Sequence, residues 1–166
     1  MTDLAKQVMQ LARSVQLLEI NPTGTLSHVR TGSRIPPAGE QIDLEIETKL
    51  GAARSKADEF AVIGLFVVRA RTKDGARPFA RFVYRCFARY RHTEEASDEV
   101  LFEFAKWNGV VHLWPYLRAY IQSASAQLGL VPILVPVFRA QPEAAAAKPD
   151  SGTQEDRAGR ESRQKK

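Results

Sequence analysis

Phe60-Ala61-Val62-Ile63-Gly64-Leu65-Phe66-Val67-Val68 is a run of nine apolar residues, and Asp74-Gly75 comes shortly after it. A run of that length bounded by a turn signal reads as a central strand covered on both faces, and Asp-Gly supplies a two-residue turn in which φ can be positive. A second arm comes next. From Arg77 to Arg91, alternation places Arg77, Phe79, Arg81, Val83, Arg85, Phe87 and Arg89 on one face and Ala80, Phe82, Tyr84, Cys86 and Ala88 on the other. An arginine at every fourth position also suits a helix, but the preceding turn and the aromatic and β-branched content select a strand.

Toward the N-terminus, Ile42, Leu44, Ile46, Thr48 and Leu50 alternate with Gln41, Asp43, Glu45, Glu47 and Lys49, the pattern of a half-buried strand. Leu17–Ile20 and Thr25–Arg30 suit a strand interrupted at Pro22. Leu4, Val8, Leu11 and Val15 form one stripe of a short amphipathic helix. Toward the C-terminus, Asp98-Glu99 opens a helix carried by Leu101, Phe104, Ala105 and Asn108. Pro115 is expected to break that helix and start a second segment running to Leu128, with Gly129 as its cap. Beyond the cap, Pro132 and Pro136 hold the chain extended. Four strands and then a long kinked helix, with a short N-terminal helix, make an α+β fold.

The chain has 166 residues, which suits one domain. From Gln141 to Lys166 no Val, Ile, Leu, Met, Cys or aromatic residue occurs. Residues 1–140 therefore read as the domain and 141–166 as a disordered, basic-ended tail. Lysine and arginine number 24 against 19 acids, and the surplus is concentrated between Arg54 and Arg91, where ten bases face three acids. Cys86 is the only cysteine and cannot close an internal disulfide, which fits a cytoplasmic setting. The uncharged stretch 119–138 contains Gln122, Gln127, Gly129, Pro132 and Pro136 and is rejected as a membrane span. The N-terminus lacks a signal-peptide apolar run.

Asn108, Trp114-Pro115-Tyr116-Leu117-Arg118, Ile121, Ser123, Ser125, Gly129, Pro132, Leu134, Pro136 and Phe138 together resemble the bacterial export chaperone SecB and its SecB-like relatives. Pro115-Tyr116 with Arg118 is the most specific part. The resemblance spans residues 15–139 in element order. It implies a four-stranded antiparallel sheet, a dimer of dimers or a dimer, and long apolar grooves that hold unfolded polypeptide without ATP hydrolysis. Three departures shape the expectation. No counterpart of the family's second C-terminal helix lies beyond Phe138. Gln141–Lys166 has no Cys or His for the zinc tail through which SecB docks on the motor SecA. The sheet face that is acidic in SecB carries Arg77, Arg81, Arg85 and Arg89, so SecA docking is not carried over. Relatives that guard an aggregation-prone antitoxin are the nearer analogy.

A holdase needs apolar surface rather than acid, base or nucleophile. The resemblance and the chemistry together select Trp107, Val111, Trp114, Leu117, Ile133, Leu134 and Phe138 for client contact, with Tyr116 and Arg118 structural. The same residues would serve equally as core or subunit interface. Arg77, Arg81, Arg85 and Arg89 form a candidate face for an acidic partner, unless they pair across strands with Asp43, Glu45 and Glu47. His28, His92, His112 and Cys86 show no metal-ligand spacing, so neither zinc nor another cofactor is expected. The carboxylates on 43, 45 and 47 lack an accompanying nucleophile, glycine-rich phosphate loop or paired histidine, so an enzyme is not expected. The leading reading is a cytoplasmic, ATP-independent chaperone whose partners are unfolded polypeptides, with one dedicated client as a special case. A basic nucleic-acid-binding domain and an oligomerising scaffold without a client groove are the other two readings.

Overall fold

Thr2 accepts a hydrogen bond from the Ala5 N–H at 3.4 Å and so caps helix α1 (Asp3–Ser14), whose Val8 and Leu11 are buried. The computed structural model describes residues 2–138 except 74, 76 and 94, so the tail assigned to 141–166 lies outside the described residues. Strands β1 (Gln16–Val29), β2 (Ile42–Lys56), β3 (Glu59–Thr72) and β4 (Ala80–Arg91) come after α1. They form one antiparallel sheet in the order β1-β4-β3-β2, with β3 and β4 central.

Pro22 does not interrupt β1. The strand runs through it with register shifts at Leu17/Glu19 and Pro22/Gly24. An edge strand tolerates proline because one row of its backbone groups has no ladder to join. The β3–β4 connection is also longer than expected. The ladder closes at Ala70↔Ala80, where the Phe79 N–H donates to the Ala70 carbonyl at 2.9 Å. At Gly75 the chain passes close to Thr72, whose Oγ1 would have to turn away from an added Cβ.

The inner face of the sheet is sealed. Phe60, Val62, Phe66 and Val68 of β3 and Phe82, Cys86, Ala88 and Tyr90 of β4 are fully buried. Phe60 stacks on Tyr90 at 5.1 Å between ring centroids, and Phe104 meets both rings edge-on at 5.5 and 5.3 Å. The expectation that β3 is covered on both faces is corrected: Ile63, on its outer face, is 45% exposed. The nine-residue run reads as doubly covered because its outward positions, Ala61, Ile63, Leu65 and Val67, include no polar residue to mark the open side.

The covering layer is α2 (Asp98–Phe104), a π-helical turn (Ala105–Gly109) and α3 (Val110–Gln127). The irregularity falls at this turn and not at Pro115, which lies inside α3. Pro115 and Val111 are both exposed, so the carbonyl deprived of its N–H partner faces water and the helix continues. At the π turn the backbone comes close to the sheet. A Cβ on Gly109 would sit 2.7 Å from Val62 Cγ1, and one on Gly64 would sit 2.8 Å from Leu113 Cδ1. Gly129 ends α3 as expected: its φ is 72°, its N–H donates to the Ala126 carbonyl at 3.0 Å, and the Leu130 N–H donates to the Ser125 carbonyl at 3.0 Å. Among the described residues no helix is long and apolar enough to cross a membrane.

Candidate functional site

After Gly129 the chain turns back along α3 as an extended strip through Phe138. Three side chains of α3 fasten it. The buried Ser125 hydroxyl donates to the Gln122 carbonyl and accepts from the Ile133 N–H at 2.9 Å. The Arg118 Nε–H donates to the Val135 carbonyl at 2.9 Å, and the Trp114 Nε1–H donates to the Pro136 carbonyl at 2.8 Å. Phe138 then lies over Trp114, with ring centroids 5.2 Å apart. The prolines at 132 and 136 carry no N–H, so these fasteners do most of what a strand ladder would do elsewhere.

The fasteners hold one side of the strip in the core and leave the other in water. Leu130, Ile133 and Val135 are buried, whereas Val131, Leu134 and Val137 are 50, 68 and 66% exposed. Residues 130–134 also form one wall of an open apolar cleft of about 270 Å³. Its other walls are Ile35, Pro36 and Pro37 from the β1–β2 loop, Ile42 and Leu44 from β2, and Phe79. Glu40 stands at the rim, where Arg34 forks its carboxylate at 2.7 and 2.6 Å. The cleft wall therefore gains no uncompensated negative charge.

The seven residues expected to meet a client do not form one surface. Leu134 lies on the cleft. Trp107 and Val111 are exposed on the helix at a spacing of four, in line with Trp114 and its cover Phe138, which is half-buried. Leu117, Ile133 and Trp114 are corrections: at 0, 3 and 8% exposure they are core. Val110, Leu113, Trp114, Leu117, Ile121 and Ala124 recur at helical spacing and form the stripe of α3 that packs on the sheet, which consumes Trp114 and Leu117. Ile133 is drawn inward by the Ser125 bond to its own N–H. Of the two residues expected to be structural, Arg118 is one of the fasteners, whereas Tyr116 is exposed. Sequence reasoning missed the loop residues Ile35, Pro36 and Pro37, although three successive apolar residues between two strands are a legible signal.

The arginine face divides as well. Alternation along β4 is as expected, with Arg81, Val83, Arg85, Phe87 and Arg89 outward, but Phe79 is buried because the chain bends before β4 begins. β4 does not adjoin β2, so Glu45 and Glu47 pair with Arg69 and Arg71 of β3 instead, at 2.5 to 3.2 Å. Arg89 lies 3.0 Å from Glu19 and 3.8 Å from the buried Glu59. Arg91 bonds Glu59 at 2.9 Å and holds that carboxyl below the usual carboxylate range. Arg89 thus leaves the set available to an acidic partner. Arg77, Arg81 and Arg85 have no carboxylate within 4 Å among the described residues.

Of the polar residues singled out by type, Cys86 is fully buried and its thiol is pushed up to about 12, so it stays protonated at neutral pH. His112 Nδ1 lies 2.8 Å from the Tyr90 hydroxyl, and burial lowers its affinity for a proton. Among the described residues no three His, Cys, Asp or Glu come together as a metal-binding group.

No protein-family model matches the chain. An uncharacterized protein of Methanocaldococcus jannaschii is 27% identical over 106 residues, covering 63% of this chain and 67% of that protein. A SecB-like chaperone of Mycobacterium tuberculosis, solved in complex with a ChAD peptide from the HigA1 antitoxin, superposes with a TM-score of 0.71, covering 82% of this chain and 99% of that one. The fold is SecB-like. At 20% identity the superposition establishes shared architecture. In this version of the SecB-like fold the element after α3 is the extended strip held by Ser125, Arg118 and Trp114.

Proposed function

We propose that the protein is an ATP-independent holdase that receives extended, unfolded polypeptide on the strip after α3 and in the adjoining cleft. One observation carries the reading: Val131, Leu134 and Val137 stand open to water beside an apolar cleft, on a backbone stiffened by prolines and fastened from behind. Burying an aliphatic side chain gains about 1.5–3 kcal/mol, so several such contacts hold a long client while a native protein, with its own apolar residues inside, offers little. Trp107 and Val111 supply a second apolar patch, in line with Phe138, for a client long enough to reach it. The reading needs no catalytic group and no nucleotide. It is supported by the SecB-like fold and by the antitoxin peptide bound to the mycobacterial chaperone, which makes an antitoxin-type client the first to try. Assembly as a dimer or a tetramer in the cytoplasm belongs to the same reading, since repetition of a weak site multiplies its hold.

The test is dilution of a chemically unfolded substrate protein into buffer with and without this protein, in the absence of nucleotide, with aggregation tracked by light scattering. A stoichiometric amount of oligomer is expected to delay aggregation. Identical scattering curves would refute the proposal.

A further inference from the structure

At one end of the sheet's outer face, His28 of β1, Arg81 of β4 and Arg69 of β3 stand in a single cross-strand row. Arg30 and Arg77 lie just beyond the strand ends. With Pro78, Phe79 and Ala80 these residues line a pocket of about 210 Å³. Like charges directly opposite one another on adjacent strands are unfavourable. Arg69 is compensated by Glu45 and Glu47 at 3.0 and 3.2 Å. Arg30, Arg77 and Arg81 are exposed, and none has a carboxylate within 4 Å among the described residues. The pocket thus gathers three guanidinium groups that no described carboxylate compensates, a set of donors suited to oxyanions through paired N–H bonds.

Two features select the anion. The positive region is bounded: Glu45 and Glu47 close it toward β2, and along β4 Arg85 alone extends it, set between the apolar Val83 and Phe87, before Arg89 is taken up by Glu19 and Glu59. A phosphate backbone, charged at every step, would run off it onto acids or apolar surface. Phe79 also lines both this pocket and the apolar cleft, so the two sites share a wall. We infer that the basic pocket is an anion subsite that binds the acidic side chains of a polypeptide whose apolar residues occupy the cleft. This rests on the holdase reading and gives it a preference: clients whose apolar segment is flanked by Asp or Glu.

Two fluorescent peptides with the same Leu-, Phe- and Val-containing segment, one flanked by glutamates and the other by serines, test the inference by anisotropy. At low salt the acidic peptide is expected to bind roughly five- to tenfold more tightly, as two or three exposed ion pairs allow, and to lose that advantage as salt rises. The double variant Arg77→Ser/Arg81→Ser is expected to abolish the advantage and leave the serine peptide's affinity unchanged. Equal affinities for the two peptides in the unaltered protein, or an advantage that survives the double variant, would overturn the subsite while the holdase reading stands. Binding of neither peptide would overturn both. A single-stranded oligonucleotide that displaces the acidic peptide at lower concentration than the peptide itself, and loses its own binding in the double variant, would reassign the pocket to nucleic acid.

Discussion

The inner side of strand β3 and the strip after α3 draw on the same residue types, yet the first is sealed and the second is half open. The inner side of β3 is fully buried because β2 and β4 fix the strand by ladders on both edges and the helical layer lies across it. The strip is fastened from one side only, by Ser125, Arg118 and Trp114, and among the described residues no element covers Val131, Leu134 and Val137. Apolar character alone therefore does not send a segment inside. The deciding factor is whether its backbone groups are satisfied in a place where a second layer can reach it.

Substitutions on the sealed side carry the largest expected cost. Leu117→Ala removes a fully buried side chain and should lower stability by about 2–5 kcal/mol in denaturant unfolding. A loss below about 1 kcal/mol would mean that α3 is not closed on the sheet. Ser125→Ala probes the seam between the two regions. It strands the buried Ile133 N–H and should cost about 1–3 kcal/mol. It should also speed hydrogen exchange along the strip more than in β3; uniform acceleration would break the distinction between them.

A smaller effect separates the regions by pH. Burial lowers the proton affinity of His112 in the folded state, whereas the unfolded chain titrates near 6.5. Below that pH the unfolded state takes up a proton that the native state refuses, so stability falls on acidification and gains nothing above it. The fall in melting temperature between pH 7 and pH 5 should be shallower in His112→Gln than in the unaltered protein. Identical slopes would place the sensitivity elsewhere. The smallest effect on stability belongs to Leu134→Asp, within about 0.5 kcal/mol because the side chain is already in water. That same variant should lose most of its suppression of aggregation; retention of full activity would remove Leu134 from the client surface.

Much of the fold was legible because its signals are local. The alternation in Gln41–Leu50 and Arg77–Arg91, the stripe in Leu4–Val15 and the cap at Gly129 each report on a neighbour a few residues away. Pro22 and Pro115 misled for a shared reason: a missing N–H breaks an element only where that donor is needed, and both lie where water or an open edge takes its place. The candidate surface was legible in part. Leu134, Trp107 and Val111 are exposed; the helical stripe through Leu113, Leu117 and Ile121 separates Leu117 from Val111, but no local spacing separates Leu134 from Ile133, since exposure there depends on contacts between α3, the strip and the sheet. The pairing of Arg69 and Arg71, rather than Arg81 and Arg85, with Glu45 and Glu47 is set by strand order, which alternation does not encode.

Cys86 sits at the middle of β4, fully buried and protonated, and it is the chain's only sulfhydryl. A thiol-reactive dye added to the folded protein therefore has a single point of attack, hidden until the helical layer lifts from the sheet. Its labelling rate acts as an internal clock for opening of the core, read without engineering.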